Sequence, residues 1–121
     1  MLQDSKAFSG FSVDDIPRAK EFYTKTLGLD VGEEHGMLNL RIAGGTPVLV
    51  YPKDNHVPAE YTVLNFPVAD IEETARALTA LGVTFERYTD AQDELGITRG
   101  QGPLIAWFKD PAGNILSLIQ R

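Results

Sequence analysis

Apolar positions alternate near the start of the chain and then change to helical spacing. In residues 8–13, Phe11 and Val13 share one face, with Phe8, Gly10 and Ser12 on the other, which predicts a strand. Asp14-Asp15 then offers an N-cap, and Pro17 falls in the first helical turn, where its missing N–H costs nothing. Ile16, Ala19, Phe22, Tyr23 and Leu27 form one apolar stripe, and Gly28 fits a helix C-cap. Residues 29–51 read as strands. Within them Met37, Leu38, Leu40 and Ile42 are separated from Val48-Leu49-Val50-Tyr51 by the breaker Ala43-Gly44-Gly45-Thr46-Pro47, a hairpin signal. The polar, Pro-containing stretch that follows reads as a linker over residues 53–60.

The pattern then repeats. FSGFSVDDI at residues 8–16 returns as VLNFPVADI at residues 63–71, so that Phe11, Val13, Asp15 and Ile16 match Phe66, Val68, Asp70 and Ile71 at one offset. Each copy leaves its helix in the same way, through Leu27-Gly28-Leu29 and Leu81-Gly82-Val83. A strand over 62–68, a helix starting at Asp70 and Glu73 in capping-box-like spacing, and strands near 83–88, 104–109 and 114–120 follow. The prediction is an α+β fold of two tandem βαβββ modules, about 7–52 and about 61–121, within a single domain spanning 1–121. Such modules bury one sheet face under a helix and build one shared core.

The segment AWFKDPAGNILSLIQ, residues 106–120, is the most specific local motif. Asp110, Pro111 and Gly113 occupy the first, second and fourth positions of a type I turn, which accounts for Asp110 without a catalytic role. The repeated V-x-D-I start, the helix exit FYTKTLGLDV and the ending WFKDPAGNILSLIQ together resemble the vicinal oxygen chelate superfamily, which holds glyoxalase I, bleomycin-resistance proteins and extradiol dioxygenases. The resemblance covers nearly all of the chain. It implies paired βαβββ modules in an open, cup-shaped mixed sheet with helices on the outer face, completed in a homodimer.

The resemblance also implies where a metal would be held. Metal-using members carry His and carboxylate ligands for a divalent cation that polarises two neighbouring substrate oxygens. Carried over, these positions fall on Phe8, on Val63, near Leu49 with Tyr51 as the alternative register, and on Ser117. Phe, Val and Leu have no lone pair to offer, and a neutral hydroxyl alone is a poor anchor. No metal and no cofactor are therefore expected. His35 sits in a polar run and His56 in the linker, and both read as solvent-exposed. No serine has a histidine at motif spacing.

Alternation and the resemblance together predict what the concave face presents. The candidates for ligand binding are Phe8, Leu49, Tyr51, Val63, Asn65, Trp107 and Ser117, an apolar and aromatic set with a few polar groups, as small-ligand sites usually are. Gly10, Ser12, Ile105, Ile115 and Ile119 join them on the same faces. Residues 96–102, GITRGQG, read as either a flap or an idle loop. Arg41 and Arg99 read as surface residues.

Composition narrows the partners. The net charge of −6 and the absence of adjacent Lys or Arg residues argue against nucleic acid. No apolar run approaches the roughly 20 residues that span a bilayer, and no secretory signal is visible, so a cytoplasmic protein without membrane attachment is expected. The absence of cysteine removes disulfides and thiolate sites. The expected function is metal-free binding of a small molecule. The alternative is a lyase or dioxygenase of the same superfamily with a non-standard site.

Overall fold

A computed structural model of the chain describes residues 1–43, 45–100 and 102–121. Gly44, in the breaker between the first hairpin's strands, and Gln101, in the segment 96–102, lie outside the described residues. The chain divides into an N-terminal unit, Met1–Val57, and a C-terminal unit, Pro58–Arg121. The fold is mixed α+β, with one sheet of four strands and one of three. Among the described residues no helix is long and apolar enough to cross a membrane.

The N-terminal unit runs β1 (Gly10–Val13), α1 (Ile16–Glu21), β2 (Asp30–Glu34), β3 (Met37–Arg41) and β4 (Val48–Pro52), with sheet order β1-β4-β3-β2. β1 lies parallel to β4, and the other pairs are antiparallel. β1 starts two residues later than the alternation predicted, and Phe8 precedes it. The Asp15 carboxylate caps α1 by accepting from the Arg18 N–H at 3.0 Å. The expected helix then widens into one π-helical turn, Phe22–Thr26, closed by the Leu27 N–H to the Phe22 carbonyl at 3.0 Å. The stripe could not reveal this, because Phe22, Tyr23 and Leu27 fit either spacing. Tyr23 ends fully buried, its ring 6.2 Å from Phe11 and 5.2 Å from Phe22. With Val13, Ala19, Leu38, Leu40 and Val50 it forms the core on one face of the sheet. β2 and β3 are joined by His35-Gly36, both at positive φ (54° and 74°), the requirement of a two-residue hairpin turn.

The C-terminal unit runs β5 (Thr62–Pro67), α2 (Ile71–Ala80), β6 (Leu104–Lys109) and β7 (Ile115–Gln120), with sheet order β5-β7-β6. β5 lies parallel to β7, while β6 and β7 form an antiparallel hairpin. Asp70 caps α2 through the Glu73 N–H, and the Gln120 side chain at the end of β7 accepts from the Ile71 N–H at 2.9 Å. At the other end, the Val83 N–H reaches the Leu78 carbonyl and the Gly82 N–H the Thr79 carbonyl, the Schellman pair. Ile71, Ala75 and Leu78 of α2 are buried, as are Ala106, Phe108, Leu116 and Leu118 of the sheet.

The strand expected near 83–88 is not a strand. A single ladder-like bond, from the Glu86 N–H to the Trp107 carbonyl at 2.8 Å, holds this segment to β6. The Gln92 side chain supplies what a neighbouring strand would have supplied. Its Oε1 accepts from the N–H groups of Tyr88 and Thr89, and its Nε2 donates to the carbonyls of Glu86 and Gly96. Backbone groups satisfied by one amide side chain need no strand partner. Gly96 is required here: at φ +90°, a Cβ would come within 2.7 Å of the Phe85 Cβ.

The same loop anchors residues 96–99, the first part of the segment 96–102 that reads as a flap or an idle loop. Ile97 is fully buried, and Asp93 Oδ1 accepts from the Leu95 and Ile97 N–H groups, each at 2.9 Å. Arg99 donates to Asp93 Oδ2 at 2.7 Å and also pairs with Glu72. Burial raises the Asp93 pKa, but the Arg99 guanidinium and the two N–H donors outweigh it and hold the carboxyl below its ordinary value. A depressed folded pKa contributes stability that is complete above the unfolded value of roughly 4 and is lost as pH falls through the folded value. Asp93→Asn is therefore expected to lower the melting temperature at pH 7, with the gap from wild type closing below about pH 4. Thermal denaturation of both proteins across pH checks this, and a gap independent of pH would refute it.

The turn between β6 and β7 is held by a second cluster of polar bonds. The Gly113 N–H reaches the Asp110 carbonyl at 3.0 Å, closing the turn that the sequence predicted. Asp110, only 4% exposed, accepts from the Ala112 and Asn114 N–H groups with Oδ1 and from Asn114 Nδ2 with Oδ2. Removing a buried acceptor leaves its donors unpaired. Asp110→Ala is expected to cost roughly 2–4 kcal/mol in chemical denaturation, with Asp110→Asn costing less.

Candidate functional site

The pleat sorts the candidate residues before any chemistry is considered. In the C-terminal unit, Phe108, Ala106, Leu116 and Leu118 point towards α2 and are buried. The intervening residues face the other way. Asn65 lies opposite Ser117, and Ser117 opposite Trp107, so these three form one row across β5, β7 and β6. Ile115 and Lys109 pair in the next row, and Ile119 with Ile105 in the row on the other side. Val63 stands at an irregularity of β5 between Thr62 and Leu64. Three predicted site residues, Asn65, Trp107 and Ser117, therefore belong to the sheet face opposite α2.

A hollow of about 270 Å³ opens on this unit. Glu60, Tyr61, Thr62, Tyr88, Trp107 and Ile115 line it. The Tyr88 and Trp107 rings meet edge to face, 5.5 Å between centroids and 65° between planes, so they form two walls at an angle. Tyr61 adds a third aromatic and is 71% exposed. Partial burial, with the Glu86 carboxylate nearby, raises the Tyr88 pKa, and Lys109 opposes this. Lys109 is itself 3.5 Å from Glu86. Of these lining residues, sequence reasoning found Trp107 and Ile115 and missed Glu60, Tyr61, Thr62 and Tyr88. No spacing in the sequence connects Tyr61 or Tyr88 with Trp107.

In the N-terminal unit, Leu49 lies opposite Gly10 and Asn39, and Tyr51 opposite Ser12, on the face away from α1. Phe8 lies before β1 and is 65% exposed. His56 is not solvent-exposed as expected. It is half-buried, with Nδ1 2.7 Å from Ser12 Oγ. The Lys53 N–H bonds the Val13 carbonyl and the His56 N–H bonds the Lys53 carbonyl, which folds the linker back over the end of β1. Residues 44 apart in sequence meet in this way, and motif spacing could not show it. His35, by contrast, is exposed beside Glu34. A second hollow, about 380 Å³, lies along α1 and β2 and is lined by the ion pair Lys20–Glu33 and other charged residues. It is larger but has no aromatic wall, so the smaller hollow beside Trp107 is the better small-molecule site. Arg41 and Arg99 are each held by carboxylates, Asp30 and Asp93 among them.

The residues present do not fit the divalent metal that the resemblance implies. Phe8, Leu49 and Val63 are hydrocarbon at their ends, and Ser117 Oγ is buried and donates to Asn65 Oδ1 at 2.6 Å. Among the described residues no group of three or more His, Asp or Glu side chains is arranged to hold a metal ion.

Comparison with known proteins agrees with this architecture. No curated protein matches the chain. Among solved structures, it is similar to the antibiotic binding protein TnmS3 from Streptomyces sp. CB03234 (21% identity, TM-score 0.71, 98% of each chain covered). A member of the glyoxalase/bleomycin resistance protein/dioxygenase superfamily from Sphaerobacter thermophilus is similar at 23% identity and TM-score 0.70, covering 95% of this chain and 97% of that one. Lactoylglutathione lyase from Agrobacterium tumefaciens matches at 19% identity and TM-score 0.69, covering 98% and 95%. At these identities the likeness shows the fold. The model of one family matches residues 9–118, and the chain belongs to the Glyoxalase/Bleomycin resistance protein/Dioxygenase superfamily.

Proposed function

We propose that the protein binds a small organic molecule without a metal, in the hollow walled by Trp107, Tyr88 and Tyr61. The observation that carries this reading is the aromatic hollow on the sheet face opposite α2, in a chain whose metal positions carry Phe8, Leu49, Val63 and Ser117. Asn65 and Ser117 share the sheet row of Trp107 and are bonded to each other, so the charged group that lines the hollow with the aromatics is Glu60. The reading takes residues 1–121 as one domain that acts as a homodimer in the cytoplasm. A structurally similar protein is an antibiotic binding protein, which supports sequestration as the type of function.

Trp107 is the only tryptophan, so its fluorescence reports on the hollow directly. Titration with a panel of planar heteroaromatic compounds is expected to give at least one saturable response, unchanged by EDTA. A stoichiometric divalent ion in the purified protein, with binding lost on chelation, would overturn the reading.

A second reading, an enzyme of the same superfamily with a non-standard site, draws on the Ser12–His56 pair. A hydroxyl within hydrogen-bond reach of an imidazole is the geometry that general base chemistry requires.

A further inference from the structure

We infer that the hollow beside Trp107 selects organic cations, in particular alkylammonium groups, over neutral molecules of the same shape. The inference rests on the binding reading above and names the ligand class. Three aromatic side chains, Tyr61, Tyr88 and Trp107, line the hollow, and Trp107 and Tyr88 stand at 65° to one another. Aromatic faces carry negative electrostatic potential and attract a cation that has shed much of its water, most strongly when the ring is Trp. An alkylammonium group is large, weakly hydrated and apolar at its surface, so ring faces suit it. A divalent metal ion needs several oxygen ligands, which this hollow lacks.

The charges point the same way. Glu60 lines the hollow and is exposed, and it makes no ion pair among the described residues. No Lys or Arg lines the hollow. Lys109, two residues beyond Trp107 on β6, is paired with Glu86, so that pair adds little net charge. The chain as a whole carries −6, which raises the local concentration of cations at low salt. A hollow of about 270 Å³ accommodates a trimethylammonium-sized group with part of its substituent.

The test compares choline with 3,3-dimethylbutanol, which has the same shape without the charge, by Trp107 fluorescence at constant ionic strength. Choline is expected to give a saturable change, and the neutral compound to need roughly tenfold higher concentration. Tyr88→Phe keeps the ring and is expected to keep choline binding, whereas Tyr88→Leu weakens it. Glu60→Gln is expected to narrow the difference between the two compounds, and Glu60→Asp to preserve it. Circular dichroism confirms that each variant is folded. Equal curves for the two compounds overturn cation selectivity and leave the hollow as a binding site. Silence with both overturns the inference as well, and the heteroaromatic panel then decides the broader reading: a saturable response there keeps it, and silence there ends it.

Discussion

Phe108→Ala is expected to destabilise the C-terminal unit by about 3–5 kcal/mol, as truncation of a buried aromatic does. Phe108 is fully buried on the α2 side of β6, and its ring meets Phe85 edge to face at 5.7 Å. Removing it leaves a cavity beside Phe85 and Leu116, and Leu116 is held opposite Phe108 in the β6–β7 ladder. Urea denaturation followed by far-ultraviolet circular dichroism measures the loss. A cost below about 1 kcal/mol would mean that this face is not the core.

Trp107→Ala, one residue earlier, is expected to do the opposite. The indole lies on the other face of β6, half-buried, and its ring contact is with the exposed Tyr88. Its stability cost is expected to be at most about 2 kcal/mol. Ligand binding is expected to fall roughly a hundredfold or more, as for an aromatic anchor at the centre of a site. The variant has no tryptophan, so calorimetry replaces fluorescence as the measurement. If Trp107→Ala unfolds the unit as Phe108→Ala does, the hollow is core and the binding reading is wrong. The pair of substitutions thus uses the two-residue period of a strand to separate folding from function.

Much of this division was legible in the chain. Alternation placed Trp107 among the residues of one sheet face, and the repeat placed Asp15 and Asp70 as the helix caps they are. The turn at Asp110 was legible because Asp, Pro and Gly act locally, on backbone groups within four residues. What failed depended on residues distant from the signal or on a side chain replacing backbone. The segment 83–88 has a strand's composition, but Gln92 satisfies its N–H and carbonyl groups instead. His56 reads as a linker residue because nothing near it in sequence indicates Ser12. The aromatic site was half legible: Trp107 and Ile115 lie on strands whose faces can be counted, whereas Tyr61 and Tyr88 lie outside the regular strands, where no period applies.

The sequence by itself determined the α+β class, the helix caps, the closing turn and the lack of metal-ligating side chains at the family's positions. These follow from period, local hydrogen bonding and side-chain chemistry, all of which are short-range. Only the tertiary structure decided which residues distant in sequence meet: His56 with Ser12, and Tyr88 with Trp107 beside Tyr61 and Glu60. Such meetings depend on how loops return over a sheet, which is set by the packing of the whole unit, and no local pattern in the chain encodes it.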